Sequence, residues 1–184
     1  IVGKNDHAYP DLLSTEKVFS RLKFPNQVLV FDENKELPDN SLLQKALQIF
    51  TLKAMSKKLM PNDSSYIAEA YKEDIQRVNG LRSQQKLLLA EQYMGEMLSS
   101  YGAHKNLDSL RSILKEVRKN KTFKAMRRSE NATFFKEALF KEEYAYDMEE
   151  DVQAHNFNNL GWWQYQMEEL DKFINGNSVY ERQM

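Results

Sequence analysis

From Ser41 to Ile174 apolar residues return at steps of three and four, and a single run, "NQVLVF" at 26–31, sets β-type residues side by side. Steps of three and four put side chains on one face of an α-helix, whereas a half-buried strand needs a step of two. A lone strand has no sheet to join unless a partner chain supplies one. The chain is therefore expected to be all-α, with the segment near 28–31 laid in extended form across helices. With only 4 Pro and 6 Gly, the breaks can be assigned one by one. Pro61 stops the first long helix, Asn79-Gly80 is expected as a left-handed cap for the second, Gly102 ends the third, and Asn175-Gly176 ends the last. Asn40, Asp63 or Ser64, and Asp108 suit N-caps.

Between those breaks lie five or six substantial helices. In "SLLQKALQIFTLKAMSKKLM" the inward face is expected to hold Leu43, Leu47, Phe50 and Ala54, widened by Leu42, Ala46 and Ile49. Short connections are satisfied most simply by antiparallel neighbours, giving a single-domain antiparallel helical bundle or helical-hairpin array. Residues 41–184 form this helical domain. Residues 1–40 form an irregular N-terminal arm packed on it: a short helix over "PDLLSTEKVFSRLKF" with Leu12, Leu13, Val18, Phe19 and Leu22 inward, the extended segment, and a loop over "DENKELPDN". The apolar faces are too broad for a heptad coiled coil.

Composition narrows the chemistry. Hydrophobic residues are 41% and charged residues 29%, the balance of a folded helical chain. No cysteine is present, which removes disulfides, thiolate metal sites and a thiol nucleophile, and favours a reducing, cytoplasmic setting. No apolar run approaches the ~20 residues of a membrane-spanning helix, and the N-terminus lacks a signal-peptide layout. The chain begins at Ile1, as a processed chain or a segment of a longer one would, and Asn62, Asn120 and Asn131 stand in N-x-Ser/Thr sequons that a secreted chain would offer for glycosylation.

No GxGxxG or GxxxxGK[ST] loop occurs, and His7, His104 and His155 belong to no HExxH or ExxH motif. Asp151 and His155 are one helical turn apart and are the only weak metal-ligand candidates; the acidic run around them reads as a solvated face. No cofactor is implied. Charge is segregated instead. Between Lys105 and Arg128 there are nine Lys or Arg against Asp108 and Glu116; between Glu137 and Asp151 there are seven acids against Lys141 alone. The two segments can face each other as neighbouring antiparallel helices, or the basic one can meet a partner through Arg118, Lys119, Lys124, Arg127 and Arg128.

The stretch "NNLGWWQYQMEELDKFI" at 158–174 carries both tryptophans. Phe157, Leu160, Trp163, Met167, Leu170 and Ile174 share a helical stripe, so Trp163 is expected in the core, with Trp162 and Tyr165 on its border as partner-binding residues. Leu160-Gly161 and Leu170 to Ile174 resemble the first helix of a tetratricopeptide repeat. That repeat's tyrosine falls one residue off at Tyr165, and no second copy stands about 34 residues earlier, so the resemblance fixes no family. The reading that follows is a non-enzymatic protein–protein interaction domain of adaptor, chaperone-like, inhibitory or assembly type. The alternative is a nucleic-acid-associated protein using 105–128.

Overall fold

In the computed structural model, which describes residues 1–3, 6, 8–24, 26–31, 38 and 40–175 (Ile174 by its backbone alone), seven α-helices follow one another. They are α1 Tyr9–Arg21, α2 Asn40–Ser56, α3 Ser64–Ser83, α4 Leu87–Tyr101, α5 Asp108–Lys119, α6 Lys121–Ala154 and α7 Leu160–Ile174. The fold is all-α, in a single helical array. Most of the loop expected over "DENKELPDN" lies outside the described residues.

The extended segment finds a template that periodicity did not reveal. Val30–Phe31 (β2) pairs in parallel with Val2–Gly3 (β1), Val2 opposite Val30 and Gly3 opposite Phe31. The chain's own start supplies the second strand. Gly3 leaves room for the Phe31 ring, which a Cβ there would approach to 3.1 Å, so that a larger residue would make the ring shift. Beneath the pair, Leu29 packs with Leu42 and Ile49 of α2.

Caps fix some boundaries and move others. Asp63 accepts the N–H groups of Ser65 and Tyr66, both at 3.0 Å, and so starts α3. Asn79 and Gly80 do not end it: α3 continues to Ser83, and Gln85, at φ 60°, takes the left-handed turn instead. Asp108 is the first residue of α5 rather than its cap; the Asn106 side chain accepts the Asp108 N–H at 2.8 Å.

The inward faces also differ from the apolar stripes that periodicity favours. α1 buries Tyr9 and leaves Leu12, Val18, Phe19 and Leu22 exposed. α2 buries Leu42, Lys45, Ile49, Leu52 and Met55, and turns Leu43, Leu47 and Phe50 to solvent. Lys45 decides that rotation.

On α3, Asp74 is buried and accepts hydrogen bonds from the Tyr93 and Tyr101 hydroxyls of α4, each at 2.6 Å, and from the Lys45 ammonium of α2. Lys45 also lies over the rings of Tyr93 and Tyr101, and the Gln48 amide donates to the Tyr101 hydroxyl at 3.0 Å. An unpaired buried carboxylate is costly, so three donors from two helices hold α2, α3 and α4 in one register. Burial pulls the Lys45 ammonium down from its usual pKa, and Asp74 opposes that pull; burial, then Asp74, pushes both tyrosine hydroxyls up. Around this hub, Leu52, Met94, Met97, Leu107 and Leu110 form the driest part of the core, closed by Val117 of α5 and Phe123 of α6.

Two predictions follow from the hub. Asp74→Ala leaves an ammonium and two hydroxyls unpaired and should lower unfolding stability by about 3–5 kcal/mol in urea titrations. Lys45→Met leaves the Asp74 carboxylate buried with only the neutral Tyr93 and Tyr101 hydroxyls as donors and should also destabilise strongly, whereas replacing Lys45 and Asp74 together by apolar residues should cost clearly less. Glu96 of α4, with Lys45, Arg77, Asp74 and Glu16 as its charged neighbours, is pushed by burial to about 8 from its ordinary 4.5. The folded state thus keeps a proton that the unfolded state releases, and this stabilisation is present below about pH 4.5 and lost as pH rises through about 8. The unfolding midpoint should fall over that interval, and Glu96→Gln should flatten the fall. An equal slope in the variant would remove Glu96 as its cause.

Candidate protein-interaction site

α6 is 34 residues long, roughly 51 Å at ~1.5 Å per residue, and its two halves have different surroundings. Asn120 starts it, accepting the Thr122 N–H at 2.7 Å and the Phe123 N–H at 3.4 Å. The first half belongs to the body. Phe123 joins the core, and Phe134 meets the ring of Tyr9 edge-on at 5.9 Å. Glu91 of α4 accepts from Arg118 (2.8 and 2.5 Å) and from Arg127 (2.9 Å), and Arg127 also donates to the buried Glu130 at 2.7 Å.

The second half pairs with α7, and Asp151 forms the corner between them. Its carboxylate accepts from the Asn156 amide at 3.0 Å, the Asn159 amide at 2.7 Å and the Trp163 indole N–H at 2.8 Å. These hydrogen bonds, Asn159 and Trp163 foremost, hold its carboxyl below the usual carboxylate range. His155 takes the left-handed conformation, φ 53°, that lets the chain leave α6, and a single 3-10 turn, Phe157–Asn159, leads into α7. Between the two helices stands Tyr144. It stacks on Phe140 at 5.7 Å, meets the edges of Trp162 and Trp163 at 6.4 and 5.8 Å, and donates its hydroxyl to Gln166 at 3.1 Å. Phe173 closes the far end against Phe140, with the Lys136 ammonium 3.5 Å from its ring centre.

The result is an α-hairpin arm in which no described residue of α7 is buried. Trp162, Trp163, Gln166 and Phe173 face α6 and are half-buried; Leu160, 68% exposed, and Tyr165, 56% exposed, face solvent with Met167. Trp163 is therefore not a core residue. The stripe expected from spacing is rotated, because aromatic contacts to Tyr144 and the indole bond to Asp151 fix the helix about its axis. Trp162 and Trp163 touch each other at 4.8 Å and share the same interface with α6.

The other candidate residues are dispersed. Arg118 and Arg127 have their guanidinium groups on Glu91, whereas Lys119, Lys124 and Arg128 are exposed and, among the described residues, make no ion pair. The basic and acidic segments do not face one another, since the acids at 137–151 continue the same helix that carries Lys121 to Arg128. The Asp151 carboxylate is occupied by three N–H donors and His155 is exposed beyond it, its Nδ1 3.2 Å from the Gln153 carbonyl; no group of three metal-ligating side chains occurs among the described residues. A polar cleft of about 410 Å³ opens beside the hub between α2 and α3, lined by Gln44, Gln48, Glu69, Glu73 and Arg77, but Lys45 and Asp74 at its floor already satisfy each other. No described helix is long and apolar enough to cross a membrane. Comparison with protein-family models, with known proteins and with solved structures finds no match to this chain.

Two features leave no mark in helical periodicity. Lys45 interrupts the apolar spacing 42, 45, 49, 52, and a charge at such a position requires a buried acid elsewhere. Asp151 precedes Asn156, Asn159 and Trp163 by five, eight and twelve residues, a set of donors that helical periodicity does not weigh. The arm's construction carries a prediction. Trp163→Ala should lower global stability by less than the ~3–5 kcal/mol of a core aromatic, and Trp162→Ala by a similar amount. Both indoles should be partly quenched by acrylamide in single-tryptophan forms. A fully shielded Trp163 with a core-sized loss would contradict the hairpin.

Proposed function

We propose that the chain is a non-enzymatic protein-interaction domain in which the helical body carries the α6–α7 hairpin as its docking element. One observation supports this above the rest: α7 keeps Leu160, Tyr165 and Met167 in solvent although nothing in the hairpin's own packing requires them to be apolar. Leu160 and Met167 share one edge of α7 and Tyr165 lies about 140° around the helix from Leu160; exposed apolar side chains that the fold does not bury are the mark of a contact surface. Trp162, half-buried, stands three residues before Tyr165 on the same edge of α7, and a large aromatic at such an edge is a common anchor of binding energy. Glu168 and the exposed acids of α6, among them Glu143 and Glu149, rim the arm, so the partner is an apolar groove bordered by basic groups. Lys119, at the end of α5, and Lys124 and Arg128, in the first turns of α6, act on encounter rate and orientation rather than on core affinity.

The experiment is photo-crosslinking from a benzophenone-bearing side chain at Tyr165, with the chain expressed in its native host. A protein adduct is expected that disappears with Leu160→Glu and Met167→Glu, while the unfolding midpoint stays within the range of ordinary surface changes, about ±0.5 kcal/mol. The nucleic-acid reading replaces this one if DNA or RNA binds far more tightly than the ~10⁻⁴–10⁻⁶ M of non-specific association at physiological salt, and if reversing Lys119, Lys124 and Arg128 abolishes that binding.

A further inference from the structure

The side of α6 turned away from α7 has an order of its own. At about 100° per residue, Lys124, Arg128, Phe135, Leu139, Tyr146 and Glu150 fall within an arc of about 80°, opposite Phe140 and Tyr144, which meet α7. Phe135 is 67% exposed, Leu139 48% and Tyr146 67%. Along the helix the stripe is basic at its start, apolar in its middle and acidic at its end. Among the described residues none of Lys124, Arg128, Glu142 and Glu150 makes an ion pair. This order also opposes the helix dipole, since the first turn carries no acid and the last turn no base.

We propose that this face pairs with the same face of a second copy, the two α6 helices running antiparallel. The register is set by the sequence. With the two-fold axis between Phe135 and Leu139, Phe135 meets Leu139 of the second copy, Arg128 meets Tyr146, and Lys124 meets Glu150; Glu142 falls one turn from Tyr146, beside the same Arg128. Each contact occurs twice, as an isologous interface requires. The pairing covers the exposed apolar centre, gives each unpaired charge an opposite one, and sets an acid of one copy beside the basic N-terminal end of the other. A parallel pairing would put like charges together at both ends. This face lies on the far side of α6 from α7, so self-pairing does not rest on the partner proposed for α7.

The test is sedimentation equilibrium of the full chain over about 1 to 100 µM, where a micromolar Kd is visible. The wild type should form a dimer. Lys124→Glu and Glu150→Lys should each weaken it by about tenfold or more, because each variant introduces two like-charge contacts per dimer. The double variant should recover wild-type association. An equimolar mixture of the two single variants should form a dimer containing one of each, since both contacts are then of opposite sign. Both positions are exposed, so failure to fold is not expected, and an unchanged helical spectrum confirms it. A wild type that stays monomeric over the range overturns the proposal and leaves the α7 reading to its own crosslinking test. Single variants that associate as the wild type does, or a double variant that does not recover, overturn it as well.

Discussion

The Asp74 carboxylate can stay buried because Tyr93, Tyr101 and Lys45 all reach it, and that requirement sets how α2, α3 and α4 lie against one another. Once α2 is rotated to bring Lys45 inward, Leu42, Ile49, Leu52 and Met55 follow it into the core. The apolar packing supplies most of the stabilisation, since it removes far more surface from water than a few polar contacts do. The ion pair contributes something different. Replacing such a pair with apolar groups can be neutral, whereas removing one partner is strongly destabilising. Its effect here is to exclude the alternative rotation of α2, in which Leu43, Leu47 and Phe50 would face inward and Lys45 would not.

The arm is built on a weaker version of the same logic. Asp151 again gathers three donors, but at a partly exposed corner, and the rings that meet around Tyr144 fill the space between two helices without burying α7. A hairpin held by one aromatic layer and one carboxylate opens at lower free energy than the core does. Low local stability suits an element that docks, because apolar groups not used for folding remain available for a partner. The division within α6 follows from this. Its first half is held in the body by Phe123 and by the Glu91 contacts of Arg118 and Arg127, and its second half carries α7 on one face and leaves Leu139 and Tyr146 exposed on the other.

Much of the fold was legible in the sequence, because helical spacing and capping residues act locally. The all-α class, the start of α3 at Asp63 and the end of α7 follow from them. The rotation of each helix was less legible. Two stripes of comparable apolarity compete on α2 and on α7, and long-range polar contacts choose between them: Asp74 for α2, Asp151 and Tyr144 for α7. The pairing of β2 with the first residues of the chain was invisible for a related reason, since two residues carry no periodicity. At the site, the exposure of Tyr165 agrees with its place on the border of the stripe. Trp163 lies half-buried because its indole serves the corner, and Arg118 and Arg127 were indistinguishable from Lys124 until Glu91 was placed beside them.

Stability resides in the body, and the display role we propose belongs to the arm. Native-state hydrogen exchange along the full chain, at a concentration low enough to keep copies apart, measures this most directly. The greatest protection is expected in α3, α4 and α5 and in the first turns of α6, set by global unfolding. Exchange in α7 and in α6 beyond about Glu137 should be faster through local opening. Equal protection of α7 and α4 under those conditions would contradict it, since the hairpin would then belong to the same cooperative unit as the core.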